Sequence, residues 1–221
     1  MVNADTSESG LERNGFIIID SFLSIGETER LCRETLSSAS GSAGLRQPHI
    51  SIPAVANLVK SAAIRNLVER VLGANAFIVR SILFNKTVES NWSVPWHQDL
   101  TIAVGERRDI PGFVGWSVKD GIHHAQAPRE VLEQMLTVRL HLDDCGIENG
   151  PLRVLPGTHT SGWLDSDAIN RLKREIPEHI CVASRGSALV MRPLLLHASS
   201  RATKPGQRRV LHLDFAADNT F

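Results

Sequence analysis

A chain of 221 residues, 42% hydrophobic and 22% charged, has the size and composition of one ordinary globular domain, which argues against a disordered or membrane-embedded protein. Lys+Arg and Asp+Glu both number 24, so no net field draws the chain to nucleic acid or to an anionic bilayer. No apolar run approaches the roughly 20 residues that span a bilayer. The start, MVNADTSESG, is polar and acidic, unlike a leader, and a cytoplasmic protein is expected. Cys32, Cys145 and Cys181 are odd in number and far apart, which suggests reduced, buried thiols rather than disulfides or a zinc knuckle. Composition carries no signal about oligomeric state.

Residues 1–10 are small and polar and read as a flexible N-terminus ahead of a single domain over 11–221. The β-branched run Phe16-Ile17-Ile18-Ile19, bounded by Gly15 and Asp20, predicts a buried strand. Ser24 precedes Glu27 by three positions, a capping box that opens a helix with Leu31, Cys32, Thr35 and Leu36 on one face. Residues 59–73 predict a second helix, with Ile64, Leu67, Val68, Val71 and Leu72 as its apolar stripe and Gly73 as its stop.

From about residue 76 the period becomes that of strands, in segments 76–88, 135–144, 151–156, 179–184, 187–199 and 208–216. Strands without alternating helices imply an antiparallel sandwich or barrel of the jelly-roll kind. Residues 100–130, rich in Gly, His, Pro and charge, show no sustained periodicity and read as a long loop, either a lid or a substrate-binding insert. Within it, His123-His124 reads as a solvated pair rather than a second metal site. Asn149-Gly150 reads as a tight hairpin turn.

His97-Gln98-Asp99 is the sharpest local feature, because residues i and i+2 of a strand share a face and can reach one metal ion. An imidazole and a carboxylate make two-thirds of the facial triad that leaves open positions on Fe(II). A third ligand is available in His197, after the apolar run Leu194-Leu195-Leu196. Eleven residues on, Arg208 supplies the planar fork that pairs with a carboxylate, and Ser199 adds a hydroxyl. Each of these alone has a bland reading, as a hydrogen-bonded core histidine or a solvated arginine pair with Arg209. Their combination points to an iron oxygenase that holds 2-oxoglutarate.

The sequence resembles the phytanoyl-CoA dioxygenase family of Fe(II)/2-oxoglutarate oxygenases. The resemblance rests on residues 15–23, His97-Gln98-Asp99, the stretch Glu148-Asn149-Gly150-Pro151-Leu152-Arg153-Val154-Leu155-Pro156-Gly157-Thr158-His159, His197-Ala198-Ser199 and Arg208. It implies a mostly β fold with flanking helices, the double-stranded β-helix or cupin-like barrel. It also implies His97, Asp99 and His197 as iron ligands and Arg208 with Ser199 as clamps for the far carboxylate of 2-oxoglutarate. The implied reaction uses O2, releases succinate and CO2, and hydroxylates a small-molecule substrate. Ala198 stands where the family commonly has Gly, and the segment after Asp99 is longer than in the family's namesake, so an acyl-CoA substrate is not carried over.

Lys86 is read either as a contact to 2-oxoglutarate or substrate, or as a solvated lysine. Arg139 either enters the site or pairs with Asp143 outside it, and His212 is placed on the inward face with Arg208. Trp92, Gln98 and Trp116 are candidates for substrate contact. Two alternatives stay open at this point: a cupin-like metalloenzyme that does not use 2-oxoglutarate, and a barrel that binds without catalysis.

Overall fold

The computed structural model describes residues 8–36 and 44–218. Most of the polar N-terminal stretch therefore lies outside the described residues, but its last part is ordered, as the start of helix α1 (Glu8–Asn14). Strand β1 (Phe16–Ile19) follows, then helix α2 (Ile25–Leu36), strand β2 (Gly44–Arg46) and helices α3 (Pro48–Ser51), α4 (Pro53–Val59) and α5 (Ala62–Leu72). The capping box forms as expected: Glu27 N–H donates to Ser24 Oγ while Ser24 N–H donates to Glu27 Oε2. Leu31, Cys32 and Thr35 are buried, but Leu36, placed on the same face from sequence, is 51% exposed on the last turn. Ser61 caps α5 through Ile64 N–H, and Gly73 ends it at a positive φ that a side chain would resist.

The remaining elements are β3 (Phe77–Lys86), β4 (Val94–His97), β5 (Thr101–Val104), β6 (Val114–Lys119), β7 (Ile122–Gln126), α6 (Arg129–Glu133), β8 (Met135–His141), β9 (Leu152–Val154), α7 (Ser166–Glu175), β10 (His179–Cys181), β11 (Ala188–Met191), β12 (His197–Ser199) and β13 (Arg208–Ala216). They build a six-stranded sheet, β1-β11-β8-β13-β3-β2, and a four-stranded sheet, β10-β9-β12-β4. Every pairing is antiparallel. The larger sheet uses the two-residue alternation to face two ways. Leu136, Val138, Leu140, Leu211 and Leu213 pack on Leu31, Val55, Leu58 and Ile64 of the helices. From the opposite face, Leu189 and Met191 meet Leu152, Val154 and Cys181 of the smaller sheet. This is the double-stranded β-helix with helices on one outer face. All three cysteines are buried and free.

Several expectations need correction. Residues 100–130 are not an irregular loop: β5, β7 and β6 form a third antiparallel sheet, joined to the barrel through Ile102, Val104 and Phe113 packed with Phe77, Val79 and Leu132. His124 is consequently buried in β7 rather than solvated, and its Nδ1 lies 2.9 Å from Ile122 O. The segment 187–199 is not one strand either. Pro193, which has no N–H, sits in a turn closed by Leu195 N–H to Arg192 O at 3.0 Å, so His197 begins β12 instead of ending a long strand. Asn149-Gly150 likewise ends a short 3-10 turn, Ile147–Asn149, with Gly150 left-handed, rather than closing a two-residue hairpin. Among the described residues no helix is long and apolar enough to cross a membrane.

Candidate metal and anion site

Strands β4 and β12 are neighbours, and their register sets His97 directly opposite His197. Side chains at paired positions share a face, so the two rings stand 4.2 Å apart between centroids. Each ring is oriented by a carbonyl two residues earlier: His97 Nδ1 is 2.9 Å from Pro95 O, and His197 Nδ1 is 2.8 Å from Leu195 O. A carbonyl only accepts, so each Nδ1 carries the proton and each Nε2 presents a bare lone pair. Asp99 follows β4, tied down by its N–H to Pro193 O at 2.9 Å, and its Oδ2 lies 3.7 Å from His197 Nε2. One ligand atom from each of the three residues lies within 4.8 Å of the others. That spacing suits donors that each stand about 2 Å from a shared ion.

Burial pushes the His197 imidazole down to about 4, with the nearby Asp99 carboxylate opposing and His97 reinforcing that shift. Burial acts to raise the Asp99 carboxyl, but His197 and Arg80 outweigh it and hold the group below its ordinary value. At neutral pH the pair is therefore a neutral imidazole beside a carboxylate, the protonation state in which both are ligands.

The triad lines a cavity of ≈ 200 Å³ with Arg80, Ile82 and Phe84 of β3, Arg139 of β8, Arg208 and His212 of β13, Leu152 of β9, and Trp92, Val94, Ala198 and Ser199. Arg208 and Lys86 are paired across β13 and β3, and both are buried. Arg208 Nη1 donates to Gly150 O at 3.0 Å and to Cys145 Sγ at 3.7 Å, and Lys86 Nζ donates to Ser200 O at 2.7 Å. Arg139 Nη1 is 2.8 Å from His212 Nδ1, and the Nε atoms of Arg139 and Arg208 are buried without a partner. Burial first, and then the Arg208 charge, lower Lys86 to about 8 and Arg139 to about 10. Among the described residues none of the three cations has a carboxylate partner, so this end of the barrel carries positive charge that an anion would complete. His141 points the same way, with both ring nitrogens unpartnered, and burial and the charges of Arg139 and Arg208 lower it to about 3.

Neighbouring residues of β13 face opposite sides, so Arg209 leaves the barrel and grips Asp143 through Nε at 2.9 Å and Nη2 at 2.7 Å. Gln98, just past the end of β4, is also turned away from the triad. Its amide is wholly used by Gly162 O, Leu194 O and Leu164 N–H, which makes it a tie between loops and not a substrate contact. Trp116 lies in a second cavity, of ≈ 710 Å³, whose lining contains none of the triad. Trp92 remains in the triad cavity, with Lys86 Nζ 5.3 Å from its ring. Arg80, Asp214 and Thr137 went unrecognised in the sequence. A buried ion pair joins Arg80 Nε to Asp214 Oδ2 at 2.6 Å, and Thr137 Oγ1 donates to Asp214 Oδ1 at 2.7 Å.

The sequence matches the family described as phytanoyl-CoA dioxygenase (PhyH) over residues 11–210. The chain belongs to this family. Among curated proteins it is 24% identical to L-proline trans-4-hydroxylase of Streptomyces griseoviridis, a match covering 72% of this chain and 62% of that protein. It is 26% identical to ectoine dioxygenase of Bordetella parapertussis, over 72% of this chain and 50% of that one. The chain thus spans about half to three-fifths of the length of these relatives. Its fold matches the crystal structure of EctD from S. alaskensis with 2-oxoglutarate and 5-hydroxyectoine, with a TM-score of 0.74 at 20% identity over 98% of this chain and 78% of that one. HygX from Streptomyces hygroscopicus, solved with nickel and 2-oxoglutarate bound, gives 0.67 at 17% identity, over 96% and 85% of the two chains.

Proposed function

We propose that this member of the family is a mononuclear non-haem Fe(II)- and 2-oxoglutarate-dependent dioxygenase that hydroxylates a small-molecule metabolite. Atoms balance when substrate R–H, O2 and 2-oxoglutarate give R–OH, succinate and CO2. The carrying observation is the convergence of His97, Asp99 and His197 in one cavity with Arg139 and Arg208, two cations that make no carboxylate pair among the described residues. Bound Fe(II) would supply the open coordination positions at which O2 is activated. The two imidazole Nε2 atoms and Asp99 would hold the ion. Arg208 with Ser199 would take the far carboxylate of 2-oxoglutarate, and Lys86 and Arg139 would add charge along the same molecule. Ile82, Phe84, Trp92 and Leu152 would keep water from the reacting atoms. An anion site beside the triad favours this reading over a cupin-like enzyme that needs no 2-oxoglutarate. The β5–β7–β6 sheet begins two residues after Asp99 and would form a movable cover for the substrate side.

The test is anaerobic loading with Fe(II) and 2-oxoglutarate against a metabolite panel, followed by oxygen. Succinate together with a product heavier by one oxygen atom is expected. Absence of iron-dependent succinate, even uncoupled from product, would overturn the reading.

A further inference from the structure

Asp99 offers two oxygens, and the surroundings treat them differently. Oδ2 faces His197 Nε2 at 3.7 Å, while Oδ1 faces Arg80 Nη2, also at 3.7 Å. The latter contact is a charge pair rather than a hydrogen bond at that length. Arg80 itself has little freedom. Its Nε is held by Asp214 Oδ2 at 2.6 Å and its Nη1 donates to Thr101 O at 2.9 Å, so the third edge of the fork is left aimed at Asp99. Asp214 is fixed in turn by the Thr137 hydroxyl and by His212 Nε2, 2.9 Å from Oδ1. Arg139 can only donate to His212 Nδ1, which leaves the Nε2 edge of that ring turned to Asp214 as a close polar contact.

From this geometry we infer that Arg80 is a positioning residue for the metal carboxylate. It holds Oδ1 of Asp99 away from the ion, so that Oδ2 alone ligates and a coordination position stays free. The Thr137–Asp214–His212 group is the brace that keeps Arg80 aimed. The inference rests on the metal reading of the triad. A residue whose only task was to neutralise Asp214 would need neither the Thr101 bond nor the third edge turned to Asp99. The Arg80–Asp99 contact lies in a partly enclosed cavity, where charge contacts are stronger than in bulk solvent.

The test uses Co(II) alone as probe, without oxygen or turnover, reading its dissociation constant and the ligand-field absorption of the bound ion. Arg80→Met strands the buried Asp214 charge and lowers the unfolding temperature, so it is paired with Asp214→Asn. The double variant is expected to unfold near the wild-type temperature and yet bind Co(II) about 10–100-fold more weakly, with an altered absorption spectrum. Arg80→Lys keeps the charge and the fold but loses the fork, and is expected to fall between the two. Wild-type affinity and spectrum in the double variant, or in Arg80→Lys should the double variant not fold, would overturn the inference. If the wild-type protein binds Co(II) no better than Asp99→Ala, the metal reading fails, and this inference with it.

Discussion

Strand β3 contributes to two cavities of opposite character. Phe77, Ile78 and Val79 join Ile102, Val104, Phe113 and Trp116 around the larger space of ≈ 710 Å³, which has mostly apolar walls. A few residues on, Arg80, Ile82 and Phe84 line the smaller space of ≈ 200 Å³, where the triad and the cations Arg139 and Arg208 meet. The larger volume arises because a separate three-stranded sheet rests against the barrel edge and packs there incompletely. The smaller one is closed by two sheets whose registers drive unlike polar groups together. Volume reports how well layers fit; chemistry reports which side chains the alternation brings to one face.

The largest effect that would break this comparison concerns the metal. His197→Ala or Asp99→Ala should weaken Co(II) or Mn(II) binding by more than the roughly 100-fold that marks the upper end for outer partners. Trp116→Ala should leave it unchanged in the same calorimetric titration. Equal losses in both cavities would show that the division is false. Next in size, Arg208→Lys should weaken 2-oxoglutarate about 10–100-fold, the worth of a charged hydrogen bond, because a point charge cannot replace the fork. Arg209→Lys disturbs its grip on Asp143 and should lower stability with 2-oxoglutarate affinity unchanged. The reverse outcome would reassign the clamp.

A smaller, graded effect belongs to His141. Its pKa is near 3 in the fold, through burial and then Arg139 and Arg208, and about 6.5 when unfolded. The unfolded chain therefore binds the extra proton between these values, and stability falls as pH drops from about 6.5 towards 3, by up to about 1.4 kcal/mol per pH unit. Urea unfolding of His141→Leu at pH 7, 6 and 5 should lack this part of the slope. The smallest effect sharpens the comparison: amide exchange in residues 100–130 should slow on adding Fe(II), 2-oxoglutarate and substrate. Protection already equal to that of β8 and β13 in the free protein would make this sheet a fixed wall.

The same contrast explains what was legible in the sequence. That His97 and Asp99 come together was legible from their two-residue spacing, and the inward turn of Arg208 from the eleven-residue step after His197 that the family resemblance implies. Arg80 was not, since a charged residue in an alternating strand looks the same whether it points to water or to a buried Asp214 that is 134 positions away. The third sheet was missed for a local reason. Its edge strand β6 is largely exposed and its register with β7 shifts between Val114 and Ser117, next to Gly115 at φ 61, which erases the two-residue period. Gln98 lies between two residues of the triad, and nothing in its residue type announces that its amide is taken up by Gly162, Leu194 and Leu164.

The cations at the anion end are held by carbonyl oxygens, Gly150 O for Arg208 and Ser200 O for Lys86. A carbonyl orients a charge without cancelling it, and Gly150 lets that oxygen approach: a Cβ there would lie 2.4 Å from Ser200 O. At this end Lys86 stands at about 8, lowered by burial and by Arg208, so it is a group that titrates close to neutral pH. An arriving dianion raises that value, so binding takes up a proton. Affinity for 2-oxoglutarate should accordingly decline as pH climbs above about 8, and calorimetry in buffers of different ionisation enthalpy would count the proton as it enters.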